Sequence, residues 1–231
     1  MVSFIIPAHN EERLLGATLD ALQTVVQNLA VASEIIVVDD ASTDRTSTIA
    51  AGRGVRVLKV EFRHIAATRN AGANIATGDV LVFVDADTLV NVAVVRAALD
   101  ALGAGALGGG CVVRLHGDTK RRERIAAAFF GWVLRMARIA PGCFLFCTRD
   151  AFDAEGGFDS TWYAGEDVAM SRALAKRGKF AILRESVLTS GRKLRTFTFA
   201  EHARLVVRLA IRGRGLLKSR AGLELWYGDR R

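Results

Sequence analysis

Three short apolar runs in the first 90 residues each end abruptly in polar or acidic side chains. They are VSFIIPA before His9-Asn10-Glu11-Glu12, EIIVVDD closing on Asp39-Asp40, and VLVFVD leading into Asp85-Ala86-Asp87. Runs of this length, rich in β-branched residues, read as strands buried on both faces. Between them lie stretches with helical spacing. Glu11 to Leu29 places Leu14, Leu15, Leu19, Leu22, Val25 and Val26 on one face. Ala41-Ser42-Thr43-Asp44 offers capping side chains before RTSTIAAG, and VRVLKV supplies a further strand. Ala66 to Thr77 reads as a helix ended by Gly78-Asp79. Strands alternating with helices predict an α/β fold: a single domain with a mostly parallel, Rossmann-like central sheet flanked by helices. Ligands of such sheets bind outside the carboxyl ends of the strands, where all three polar clusters fall. Helix capping accounts for one such cluster more easily than for three.

Past residue 105 the pattern changes. GGGCVVRLHG reads as a strand, 120–140 as a helix, and CFLFCTRDAF as a strand running into a short helix. GGFDSTWYAGED, the helix VAMSRALAKRG, a strand around FAIL and a basic helix over 198–212 follow. No Pro/Gly/Ser-rich linker interrupts the chain. The reading is one domain, 1–231, in two halves (1–105 and 106–195) with a basic helical tail over 196–231.

Of the 231 residues, 51% are hydrophobic, enough for a substantial core. Cys111, Cys143 and Cys147 make an odd count without paired CxxC spacing, so neither a disulfide framework nor a zinc site is supported. The chain enters its first strand without a basic n-region, and no uncharged run has the length of a membrane span, so a cytoplasmic protein is expected. The net charge of +8 is uneven, because residues 190–231 hold eleven Lys/Arg against three Asp/Glu. Such a tail suits a nucleic acid, an anionic membrane or a diphosphate. The absence of a zinc-finger or RNA-recognition signature argues against nucleic acid.

The chemistry lies in the rim clusters. In Asp85-Ala86-Asp87 the first and third residues can reach one point beyond the sheet edge, and both supply hard oxygens suited to Mg²⁺ or Mn²⁺ shared with substrate phosphates. An isolated pair of this kind is as often a solvated loop. Asp40 or its neighbour Asp39 can accept from a base or ribose. Arg69 can reach a base or a diphosphate, or be a solvated helical arginine. Glu166-Asp167 opens a helix, which suits the helix dipole and equally a general base. A glycine-rich turn after the first strand and a GxxxxGK[ST] loop are both missing, which disfavours dinucleotide and P-loop chemistry.

Together FIIPAHNEE, EIIVVDDASTDRT, AATRNAGANIATGDVLVFVDADT and GGFDSTWYAGEDVAMSRAL, in this order over about residues 2–190, resemble the family 2 inverting glycosyltransferases of GT-A fold. The resemblance implies a hexosyltransferase-type enzyme using a nucleoside-diphosphate sugar and a divalent metal. It implies that Pro7, Ala8, Asn10 and Glu11 line the nucleotide pocket, with Asp39, Asp40 and Arg69 at the nucleoside. Asp85 and Ala86 would meet the diphosphate, Asp87 with Asp85 would hold the metal, and Asp167, beside Glu166, would be the base. Residues 1–105 become the donor half and 106–195 the acceptor and base half. The QxxRW motif of processive synthases is absent, which implies one transfer per encounter.

UDP is the favoured donor nucleotide, with GDP open. The run IAAAFFGWVLRMARIA, with arginines at its edges, has the mix of an interfacial helix and suggests a lipid or lipid-linked acceptor at an anionic leaflet. An ordinary buried helix beside the acceptor cleft is the competing reading. Arg192, Lys193 and Arg195 are candidate phosphate contacts and His202 a candidate metal ligand, each set against a solvated basic face. A non-catalytic sugar-nucleotide-binding protein is the first alternative function. A nucleotidyltransferase is the weaker second, since PAHNEE stands where its phosphate loop would be.

Overall fold

In this computed structural model, residues 1–116, 140, 142–190 and 217 are described. The expected helices at 120–140, apart from Ala140, and at 198–212, and Arg192, Lys193, Arg195 and His202, lie outside them.

The first half follows the expected alternation: β1 (Val2–Ala8), α1 (Leu15–Leu29), β2 (Ser33–Asp40), α2 (Thr46–Ala51), β3 (Arg56–Val60), α3 (Ile65–Ile75) and β4 (Val80–Val84). A two-residue β5 (Thr88–Leu89) and α4 (Val92–Gly103) come next, neither anticipated from sequence. The signal for α4 was there: Asn91 accepts from the Val94 N–H at 3.0 Å, a side-chain cap before an apolar stretch. The second half contains β6 (Gly108–His116), β7 (Phe144–Thr148), α5 (Arg149–Ala154), α6 (Glu166–Arg177) and β8 (Phe180–Ser190).

Helix α1 begins at Leu15 rather than Glu11 because the preceding turn is claimed elsewhere. The Glu11 N–H donates to Thr46 Oγ1 at 2.8 Å and the Glu12 N–H to Asp44 Oδ2 at 3.1 Å. These bonds tie the loop after β1 to the loop after β2.

The eight strands among the described residues join one sheet in the order β3-β2-β1-β4-β7-β6-β8-β5. Strands β3, β2, β1 and β4 run parallel, as expected. The sheet as a whole is mixed, because β7 pairs antiparallel with β4 and with β6, and β5 antiparallel with β8. The apolar run FLFCT has the same composition whichever way it points, so its direction had no signature.

Alternating strand residues feed two cores. Val2, Phe4, Ile6, Val82 and Val84 pack with Leu15, Leu19, Leu22 and Val25 of α1 and Val94, Val95 and Ala98 of α4. Ile5, Leu81 and Phe83 pack on the other face with Ala66 and Ala73 of α3, Phe152 of α5 and Met170 and Leu174 of α6. At Gly72 an added Cβ would lie 2.4 Å from Ile5 and 2.8 Å from Val38, so glycine sets the approach of α3 to the sheet. That approach carries the neighbouring Arg69 into the interior.

Candidate active site

The rim beyond β1 and β2 is a closed network. Asn10, Ala41 and Arg63 all have left-handed backbones, with φ of 52°, 54° and 50°. Such conformations cost about 1–2 kcal/mol each for a residue with a Cβ, so they need compensation. The Asn10 N–H donates to Ser42 Oγ at 2.9 Å, and its Oδ1 accepts from the Thr43 N–H at 2.8 Å. The Ala41 N–H donates to the Val60 carbonyl at 2.8 Å. The Arg63 guanidinium lies 2.7 Å from His9 Nε2. A guanidinium only donates, so Nε2 accepts and the proton sits on Nδ1, which donates to the Asp40 carbonyl at 2.6 Å.

Asp40 is buried, and its carboxylate accepts from the Arg63 N–H at 2.7 Å, the His64 N–H at 3.0 Å and the Thr68 hydroxyl at 2.7 Å. It pins the first turn of α3 to the end of β2. Asp39 accepts from the Ser42 N–H at 3.2 Å and from the Ser47 hydroxyl. A carboxylate has about four acceptor positions, so three are committed on Asp40 and two on Asp39. A base or ribose would meet what is left. Pro7 and Ala8 are buried within β1, so their backbone is what a ligand could meet. Glu11 stays half-buried at the rim.

Beyond β4, Asp85 is 26% exposed, and its Oδ1 accepts from Arg69 Nη2 at 2.9 Å. Ala86 points into the core, and its carbonyl accepts from the Thr18 hydroxyl at 2.9 Å. Asp87 returns to the surface half-buried, and its Oδ1 accepts from Thr189 at 3.3 Å. Asp85 and Asp87 therefore stand on either side of an anchored alanine, in the turn between β4 and β5.

Arg69 departs from expectation. Its side chain is 2% exposed, so it is not the solvated helical arginine that its spacing allowed. Nη1 donates to Glu166 Oε1 at 2.6 Å, and Nη2 donates to the Gly142 carbonyl at 2.9 Å as well as to Asp85. The guanidinium carbon lies 5.3 Å from the centre of the Phe158 ring, and Nε has no partner. Burial opposes its charge, but Glu166, Asp85 and Asp167 together outweigh that and hold its pKa above the ordinary value.

Helix α6 starts at this cluster. Glu166 is buried, and burial pushes its carboxyl up to about 7 against the pull of Arg69. Asp167 is half-buried and lies against Gly142, where an added Cβ would sit 2.7 Å from Asp167 Oδ2. Burial raises the Asp167 carboxyl too, with Arg69 and the N–H groups of Val168 and Gly142 working the other way. A raised but ionisable carboxylate at the rim suits proton abstraction. The loop before α6 is clamped to α3, since the Asn70 amide donates to the Phe158 carbonyl at 2.8 Å and accepts from its N–H at 2.9 Å. His64 packs against Tyr163 with ring centres 4.5 Å apart and planes tilted by 55°, and burial lowers its pKa. Sequence reasoning passed over Gly142, Asn70 and Phe158. Only Gly142, a glycine directly before an apolar strand, carried a local hint.

Cys143 adjoins the same acidic cluster, and burial followed by Asp85 holds its thiol well above the ordinary value. It stays a neutral thiol, so nucleophilic catalysis through it has no support.

Two hard carboxylates on the rim fit a divalent cation. Among the described residues no group of three or more His, Cys, Asp or Glu converges on one point. Asp85 and Asp87 would thus leave most coordination positions to phosphate oxygens and water, a mode that Mg²⁺ and Mn²⁺ accept.

This sheet, with a paired-carboxylate rim and a carboxylate-headed helix, defines a GT-A fold. Residues 3–153 match Glycosyl transferase family 2, and the chain belongs to that family. It is similar to the 4,4'-diaponeurosporenoate glycosyltransferase of Staphylococcus haemolyticus, 38% identical over 97 residues that cover 39% of this chain and 25% of the relative. The curated relatives it matches are longer, and the matched stretch spans 25–31% of their length. Among solved structures, the mannosyltransferase PcManGT of Pyrobaculum calidifontis with GDP-Man and Mn²⁺ superposes with a TM-score of 0.68 at 21% identity, covering 91% of this chain and 64% of that one. The Mycobacterium tuberculosis glucosyl-3-phosphoglycerate synthase with Mn²⁺, UDP and glucosyl-3-phosphoglycerate gives 0.64 at 19% identity, covering 92% and 79%.

Proposed function

We propose that this chain transfers a hexose from a nucleoside-diphosphate sugar to an acceptor hydroxyl with inversion, in one displacement. The observation that carries the reading is the position of Asp167: half-buried at the head of α6, with a raised carboxyl, in the same charged cluster as Asp85. Asp167 takes the acceptor hydroxyl proton as the oxygen attacks the anomeric carbon opposite the diphosphate. The bond to the diphosphate breaks, and the nucleoside diphosphate leaves with the electron pair. Asp85 and Asp87 would hold a divalent cation, which would supply positive charge to stabilise the departing diphosphate. The closed loops after β1 and β2 form the nucleoside side, through the backbone of Pro7 and Ala8, the Asn10 and Glu11 turn, and the remaining acceptor positions of Asp39 and Asp40.

Mn²⁺ in the structural neighbours supports a divalent metal here, and their UDP and GDP-Man support both nucleotides as candidates. The acidic rim favours UDP through the uracil N–H. One transfer per encounter is proposed, since the processive motif is absent. A lipid acceptor and peripheral attachment at the inner leaflet rest on residues 125–140, of which only Ala140 is among the described ones. Among the described residues no helix is long and apolar enough to cross a membrane. Co-sedimentation with anionic liposomes at low salt tests the attachment, and protein left in the supernatant rejects it.

A panel of UDP- and GDP-sugars, scored for thermal stabilisation and for hydrolysis with Mn²⁺ or EDTA, tests the activity. Metal-dependent hydrolysis of one donor is the expected result. A silent panel, insensitive to EDTA, overturns the reading.

A further inference from the structure

We infer that Arg69 is a positioning residue, a buried cross-link that fixes Asp85 on the donor side and the head of α6 on the acceptor side in one geometry. The inference rests on the glycosyltransferase reading and assigns within it a role that replaces donor contact for this arginine.

A guanidinium at 2% exposure has given up its water and persists only where other groups replace it. Three segments far apart in sequence do so. Nη1 reaches Glu166, 97 residues on, while Nη2 is shared by Asp85, 16 residues on, and the Gly142 carbonyl, 73 residues on. Phe158 closes one face. The planar fork matters, because two nitrogens held in one plane set the angle between the Asp85 and Glu166 carboxylates, and a single ammonium cannot.

Arg69 acts on both reacting sides. On the donor side it claims Oδ1 of Asp85 and leaves Oδ2 for a cation, which favours one-oxygen coordination. On the acceptor side it reaches Asp167 twice. It grips Glu166, the preceding residue of the same turn, and it holds the Gly142 carbonyl while the Gly142 N–H and its missing side chain seat the Asp167 carboxylate.

A diphosphate-binding arginine and a positioning arginine differ in what their loss changes. The test uses Arg69→Lys, Glu166→Gln and Asp167→Asn in the full chain, with UDP or GDP binding in Mn²⁺ read by calorimetry and hydrolysis of UDP-glucose and GDP-mannose read as turnover. For Arg69→Lys, nucleotide Kd is expected within about 3-fold of wild type while kcat falls about 100-fold. In the Asp167→Asn background the same change is expected to lower residual hydrolysis by less than about 10-fold, because only the share of its effect that runs through Asp85 remains. A nucleotide Kd weakened 10-fold or more overturns the inference in favour of direct donor contact. An undiminished 100-fold loss in the Asp167→Asn background also overturns it.

If Arg69→Lys does not give a cooperative thermal transition, Glu166→Gln decides. It keeps an oxygen for Arg69 but weakens the grip, so kcat should fall about 10-fold at unchanged nucleotide Kd, and unchanged kcat rejects the role. A wild-type chain that binds neither nucleotide rejects the glycosyltransferase reading itself, an outcome distinct from all of these.

Discussion

Two groups of carboxylates stand on one rim and do different work. Asp39 and Asp40, at the end of β2, spend most of their acceptor positions on N–H and hydroxyl groups of their own loops. Asp85, Glu166 and Asp167 gather around one buried guanidinium, and burial raises the carboxyls of Glu166 and Asp167. The first group is held largely by neutral donors and secures backbone conformations that would otherwise be strained. The second is short of donors, so its charges act on one another and on whatever enters. An acidic residue at a strand end is thus a pin or a reagent according to how many local donors surround it.

The sharpest way to break this contrast is to neutralise one member of each group. Asp167→Asn should cut turnover by about 10²–10⁴-fold with nucleotide binding nearly unchanged, because it removes only the proton acceptor. Turnover near wild type would move the base to another group. Asp40→Ala should act oppositely, costing about 3 kcal/mol in urea unfolding because two buried N–H groups and a hydroxyl lose their acceptor. A loss under about 1 kcal/mol would mean that the network closes without it.

Gly142→Ala sharpens the second group. The added methyl would crowd Asp167 Oδ2 at 2.7 Å, so one of the two must shift. Turnover should drop by about 10-fold or more, with about 1–3 kcal/mol of stability lost to overpacking. Intact turnover would show that Asp167 has room to move without penalty.

The pH profile discriminates further. Asp167 is raised above 3.8 by burial, and a base works only when ionised, so kcat should climb with pH through that raised value, its acid limb above the ordinary Asp range. Between the ordinary and raised values the folded chain holds a proton that the unfolded chain has released. This contribution to stability therefore shrinks as pH rises through the window. An acid limb at or below 3.8 would contradict the assignment. The smallest effect belongs to a carboxylate in neither group. Asp20 is 61% exposed and pairs with Arg53 at 2.7 Å, so Asp20→Asn should cost under about 1 kcal/mol and leave turnover unchanged.

Much of this was legible from residues alone. The runs ending at Ala8, Asp40 and Val84 are strands whose polar ends meet at one rim, and Asp85 and Asp87 flank a buried Ala86 in the turn that follows β4. Glu166-Asp167 does open a helix. Arg69 did not announce its buried position, because its sequence neighbours suit an exposed helical face equally well. Its burial follows from Gly72 letting α3 close on the sheet and from carboxylates supplied 16 and 97 residues away. Asp39 and Asp40 looked equally free because their donors come from turns whose left-handed backbones, at Ala41 and Arg63, no residue preference announces.

The sequence by itself determined the periodicities, the strand ends and the chemical kinds at the rim, since these depend on near neighbours along the chain. Tertiary structure decided the antiparallel return of β7, the burial of Arg69 and the division of the acids into pins and reagents. Those outcomes depend on which distant groups arrive to satisfy a charge or an N–H, and a burial that is costly alone becomes stable only once its partners are folded around it.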